Sequence, residues 1–177
     1  MMRFRWILIK KSKRPEQLFP WKILPPQFLD LLEENPNHRA LPFAIGLKEH
    51  YPPFWDIDTV YIPICVDLQD WFMVRVDMRT LHLTLYFTGT CTSSVSDGSS
   101  LIQVRVYPTL IKFESLFKTF LEQIAYWEHS GRPHVENTMV THTEVCQHQK
   151  ENPGPDSGVL VCLLLSKLVN DEDVGFG

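Results

Sequence analysis

Apolar and polar residues alternate most clearly in the middle of the chain. In LHLTLYF at 81–87, Leu81, Leu83, Leu85 and Phe87 share one side of a period-two pattern. This predicts a strand with one apolar face. The segments VYIPICV at 60–66 and WFMVRV at 71–76 are rich in β-branched and aromatic residues and predict two more strands. Pro63 in the first of them lacks a backbone donor, which points to a sheet edge or a bulge. The connection at 77–80 is short enough for an antiparallel hairpin. Residues 138–145 predict a further short strand, and 88–100, rich in Gly, Ser and Thr, a loop.

Helical spacing takes over on either side. Phe113, Leu116, Phe117, Phe120, Leu121, Ile124 and Trp127 form a wide apolar stripe, which predicts a helix over 113–127 that ends at Ser130-Gly131-Arg132-Pro133. A shorter helix is expected over 26–33, stopped by Asn35-Pro36-Asn37, within an otherwise irregular 20–55. Residues 102–107 fit either a strand or irregular structure. Near the end, NPGPDSGVLVCLLLSKLV at 152–169 reads as a turn-rich lead into a helix that starts near Ser157. That helix is apolar almost all round, so it is expected to be central and buried. Strands gathered in the middle with helices on both sides give an α+β domain, a sheet flanked by helices.

Composition narrows this further. The 177 residues suit one domain, and 44% hydrophobic and 12% aromatic residues suffice for a packed core. A net charge of -4 offers no basic surface, so nucleic acid is not expected as a partner. The apolar run at 159–165 is too short to span a bilayer, and the one at 6–9 too short for a secretion signal. No membrane association is expected, and the setting is read as intracellular, in nucleus or cytoplasm. Cys65, Cys91, Cys146 and Cys162 form no Cys-x-x-Cys pair and are expected as free thiols. His142, Cys146 and His148 make a loose string without a second ligand pair of zinc-like spacing. Neither a metal nor another cofactor is expected. Oligomeric state is open.

Candidate chemistry centres on Asp156-Ser157-Gly158. The first N–H groups of a helix lack internal partners, and the helix dipole adds positive potential there. A nucleophile at that place is shifted toward its anion, a thiol most of all. Ser and Asp are also ordinary N-caps, and on residue type alone Asp156 or Ser157 simply caps the helix. Cys162, inside the apolar helix, reads as a small buried hydrophobe.

Several segments in order resemble one family. WDIDTVYIPI at 55–64 resembles the W-x-x-V-D-x-V-Y-I-P-I entry strand of the ubiquitin-like-protein-specific (SUMO) proteases, including their plant transposon-associated relatives. DWFMVRVDM at 70–78 is similar to H-W-V-L-V-V-I-D-L, and LTLYFT at 83–88 to I-T-V-Y-D-S. QKENPGPDSGVLVC at 149–162 resembles Q-x-x-x-G-x-D-C-G-V-F-V-C with a longer loop. The resemblance covers about residues 40–170. It leaves 1–39 as an irregular extension or truncated helical part and 171–177 as a tail.

The resemblance implies a papain-like cysteine protease fold with a central, mostly antiparallel sheet. It also implies cysteine-type peptidase chemistry after the di-glycine of a ubiquitin-like modifier, with SUMO or its conjugates as partner. Residue by residue, the nucleophile position is Ser157 in place of Cys, the base position Asp70 in place of His, and the orienting position Phe87 in place of Asp. Gln149 holds the oxyanion position, and Trp71 the wall of the substrate channel. Serine is a far weaker acid than a thiol and needs a strong base. An aspartate, with an unperturbed pKa of about 3.9, is a poor one at neutral pH. Phe87 cannot orient a base by hydrogen bonding. The expectation is a pseudoprotease that binds a modifier at most. The alternatives are a weakly active peptidase pairing Ser157 with His82 or His142, and a decayed mobile-element fragment without function.

Overall fold

The computed structural model describes residues 21–34, 40–48, 51–66, 70–87, 106–135, 141–145 and 157–170. The elements in chain order are β1 (Trp21–Ile23), α1 (Phe28–Glu34), α2 (Leu41–Ala44), a 3-10 turn (Phe54–Asp56), β2 (Thr59–Val66), β3 (Asp70–Asp77), β4 (Leu83–Phe87), α3 (Tyr107–Gln123), α4 (Tyr126–Ser130), β5 (Thr141–Val145) and α5 (Ser157–Val169). The strands form a five-stranded sheet in the order β1-β2-β3-β4-β5. β2, β3 and β4 pair antiparallel at its centre, and β1 and β5 add parallel partners at the edges. The α+β class expected from the sequence holds.

Alternation along the strands divides the core in two. Val60, Ile62 and Ile64 of β2, Phe72, Val74 and Val76 of β3, and Leu83 and Leu85 of β4 enter one cluster. Phe113, Phe117, Phe120 and Leu121 of α3 pack there, with Phe28 and Leu32 of α1. On the other face, Trp21, Ile23, Tyr61, Met73 and Tyr86 meet Val161, Leu164 and Leu165 of α5. The C-terminal helix is therefore buried along one stripe, not all round, since Val159 and Leu163 stay half exposed.

Pro63 shows how β2 accommodates a missing donor. The Tyr61 carbonyl faces β1, where it accepts from the Leu24 N–H at 2.9 Å. Pro63, two residues on, faces the same side, but β1 ends at Ile23, opposite Tyr61. The proline therefore occupies a local edge, as expected, although β2 is an interior strand.

Three further features differ from the expectation. The boundary at 39/40 does not divide the fold, because β1 pairs with β2 and Phe28, Leu29 and Leu32 belong to the main core. Lys22, in the middle of β1, is fully buried. Its Nζ donates to the Phe43 carbonyl at 2.6 Å and to the Pro52 carbonyl, and it lies 4.5 Å from the Phe54 ring centroid. A charged residue flanked by prolines gives no strand signal until those partners are in place. The long helix also starts earlier, at Tyr107, and breaks at Ala125, whose φ of 51° is left-handed. Neither Gly nor Pro marks that break. Gly131, with φ 64°, ends α4 as expected.

A polar network ties the far end of the sheet together. Arg79 grips Asp58 through Nε–Oδ1 at 3.0 Å and a second contact at 2.6 Å. Arg132 reaches the same carboxylate at 2.9 Å and donates to the Tyr126 hydroxyl at 2.8 Å. That hydroxyl donates to the Met78 carbonyl at 2.6 Å. Burial raises the Tyr126 phenol above its ordinary value, against the lowering pull of Arg132. Folding thus favours the protonated phenol, and this contribution is complete below the ordinary tyrosine value of 10.0. It disappears as pH rises through the folded value. Tyr126→Phe is expected to cost about 1–2 kcal/mol near neutrality. In denaturant titrations across the alkaline range, the gap between wild type and variant should narrow above pH 10.0.

Candidate functional site

β3 begins at Asp70, and Trp71 follows on the face covered by α5. α5 begins at Ser157, and its second residue, Gly158, lies on the Trp71 indole. A Cβ added at Gly158 would stand 3.5 Å from both Cδ1 and Nε1 of that ring. β4 ends at Phe87, which pairs with Phe72. By register Phe87 is therefore a diagonal cross-strand neighbour of Asp70, a separation of about 7–8 Å between such positions. The backbone thus brings Asp70, Trp71, Phe87 and the start of α5 to one corner of the sheet. Gln149 lies outside the described residues, as do Cys146 and His148 of the loose His/Cys string.

The corner forms for local reasons. α5 presents Val161, Leu164 and Leu165 to Met73, Tyr61 and Tyr86, which holds the helix over the middle strands. Glycine near its start lets the first turn approach the flat indole closely. The first turn supplies N–H groups without intrahelical partners and a partial positive charge, to be met by a cap or a ligand.

The pairing of Ser157 with His82 does not form. His82 sits beside the β3–β4 turn, where its carbonyl accepts from the Asp77 N–H at 3.0 Å. Asp77 and Trp71 are separated along β3 by about 20 Å. The position of His142, opposite Thr84, is displaced from Trp71 by about 13 Å along the strands and two strand spacings across. Cys162 is half-buried, and burial pushes its thiol up, so at neutral pH it is protonated and a poor nucleophile.

Further along the same face, Arg75 stands between Tyr61 and Thr84 in register. Burial works against its charge, but the Tyr61 and Tyr86 phenols and Asp77 hold it above the ordinary arginine range. Its Nε is enclosed and finds no hydrogen-bond acceptor among the described residues. The Arg132–Asp58 contact spans 74 residues, and no local pattern announces it.

The chain is similar to the C-terminal Ulp1 protease domain in complex with Smt3, the yeast orthologue of SUMO, with a TM-score of 0.62 at 14% identity. The match covers 98% of this chain and 65% of that one. The fold is that of a Ulp1-type protease domain. A second Ulp1 structure, with its catalytic cysteine oxidized to a sulfinic acid, matches with a TM-score of 0.58 at 15% identity over 99% of this chain and 66% of that one. A de-sumoylating protease matches with a TM-score of 0.53 at 16% identity, covering 94% of this chain and 59% of that chain. This chain therefore spans 65% and 66% of the length of the first two. No family model and no curated protein matches the sequence. Within the Ulp1-type fold, the two antiparallel pairings at the sheet centre carry the corner that gathers Asp70, Trp71 and Phe87.

Contact between Gly158 and Trp71 yields a graded test. At 3.5 Å an added methyl makes ordinary van der Waals contact. Gly158→Ala is expected to be neutral or to stabilise by up to about 1 kcal/mol through helix propensity. Gly158→Val, with two more carbons against the ring, should displace the indole. Near-ultraviolet circular dichroism and thermal melts should therefore separate the two variants.

Proposed function

We propose that this chain is a ubiquitin-like protease family domain that binds a ubiquitin-like modifier, SUMO or a conjugate of it, and does not cleave it. One observation carries this reading. The positions that the sequence resemblance assigns to nucleophile, base and orienting acid are Ser157, Asp70 and Phe87, and their backbones gather at one corner. Trp71 and Gly158, which shape that corner without donating or accepting a proton, keep the residue types of the resembled pattern.

The chemistry follows from the residue types. Attack on a carbonyl needs a base to remove the nucleophile's proton. Ser157 lacks a histidine at the position where the resemblance expects one, and the backbone of His82 is too remote to substitute. Phe87 offers no acceptor to orient a base. Loss of all three groups removes proton transfer, and an oxyanion contact alone then has little to act on. Binding survives such a loss, because a groove and its aromatic wall hold a peptide tail without any proton moving. The reading also places the domain inside the cell, where Cys65 and Cys162 stay reduced.

The test joins binding and turnover. Incubation with a SUMO precursor and with a di-glycine electrophilic probe should give neither cleavage nor covalent adduct. Immobilised SUMO should retain the full chain at micromolar concentration. Cleavage that disappears in Ser157→Ala would make the chain an enzyme, and absence of binding to a panel of ubiquitin-like proteins would refute the modifier partner.

A further inference from the structure

We propose that residues 4–14 of this chain lie along the outer side of α5, with the apolar run FRWILI on Val159 and Leu163 and the basic run KKSKR beside the acidic residues that follow the helix. This docking is independent of whether the candidate corner binds a modifier. The outer side of α5 calls for a cover. Val161, Leu164 and Leu165 face the sheet. At 3.6 residues per turn, Val159 and Leu163 fall on the opposite side, and both are half exposed. Half-buried Cys162 flanks them. A helix that is apolar on two opposite sides is stable when both are covered.

The course of the chain names the occupant. β1 begins at Trp21, opposite Thr59, which in turn pairs with Asp77. The chain therefore enters the sheet at the end where β3 finishes. α5 starts on Trp71, at the other end of β3, and Leu168 and Val169 of its last turn pack on the cluster that holds Trp21. The residues before Trp21 thus approach α5 at its C-terminal end. Residues 15–20 reach up to about 20 Å, enough to set 10–14 at that end. Residues 4–9 then span the rise of about 6 Å between Val159 and Leu163, whether coiled or extended.

Charge fixes the direction. Asn170 is followed by Asp171, Glu172 and Asp173, which add to the negative partial charge at the end of a helix. Lys10, Lys11, Lys13 and Arg14 supply the opposite sign. Apolar-then-basic meets apolar-then-acidic at both places only when the segment and α5 run the same way. The start of the segment then lies near the early turns of α5. In keeping with this, burial pushes the Cys162 thiol up while the positive amino terminus pulls it down.

The test replaces Trp6 of the full chain by the photo-crosslinker p-benzoylphenylalanine and maps the product by mass spectrometry. A crosslink to 157–170 within one chain is expected. A crosslink at the mass of a dimer would make a second copy the occupant and overturn the proposal, as would a crosslink elsewhere or none. Reversing the acidic run (Asp171→Lys, Glu172→Lys, Asp173→Lys) should weaken the intrachain crosslink at low salt. Adding Lys10→Glu, Lys11→Glu, Lys13→Glu and Arg14→Glu should restore it. A yield that neither change moves overturns the charge pairing and the direction drawn from it. Without the crosslinker, Ile7→Ser with Ile9→Ser should raise the alkylation rate of Cys162 about ten-fold, because the cover opens while the domain stays folded. An unchanged rate in a variant with the parent's circular dichroism counts against the cover.

Discussion

Burial of β3 on both faces sets the place of every element around it. Phe72, Val74 and Val76 point into the cluster shared with α1 and α3, and Met73 points into the one shared with α5. Side chains in a strand alternate strictly, so a slip of one residue would exchange the two sets and carry Arg75 into the larger core. The pairing with β2 and β4 is fixed by the same constraint. α5 then has one way to lie, with Val161, Leu164 and Leu165 on Met73 and its first turn on Trp71. The candidate site is thus a consequence of strand register.

The sheet keeps its charged anchor and its candidate site at opposite ends. Asp58, Arg79, Arg132 and Tyr126 close the end where β3 finishes. Asp70, Phe87 and Ser157 occupy the end where β3 begins. Leu81 illustrates the cost of the first arrangement. Its φ of 56° is unfavourable for a side chain with a Cβ, by about 1–2 kcal/mol. Its complete burial offsets a similar amount. Changes at the candidate corner leave this anchor untouched.

Much of this was legible in the chain. β2, β3 and β4 announce themselves because a half-buried strand must alternate, and α3 because its aromatic stripe recurs at helical spacing. β1 does not, because three residues with a lysine between two prolines carry no strand pattern. Its stability comes from Lys22 reaching the Phe43 and Pro52 carbonyls, contacts that only the folded chain creates. The break at Ala125 is equally silent, since it is made by packing and not by a helix-breaking residue. At the site, the order of the segments suggested which positions correspond to nucleophile, base and orienting acid. That Asp70 and Phe87 are diagonal neighbours follows from the hairpin through 77–80 once its register is set, whereas the start of α5 beside Trp71 depends on packing across the sheet, which no local pattern encodes.

The central claim is that a peptidase framework persists here with its proton-transfer groups replaced. The most direct measurement is the cleavage of a di-glycine SUMO substrate by the triple variant Asp70→His, Phe87→Asp, Ser157→Cys. The account predicts that the triple variant cleaves where the unaltered chain does not, and that returning the new cysteine to serine abolishes the gain. A triple variant that folds with the circular dichroism and melting behaviour of the parent, yet remains inert, would contradict it.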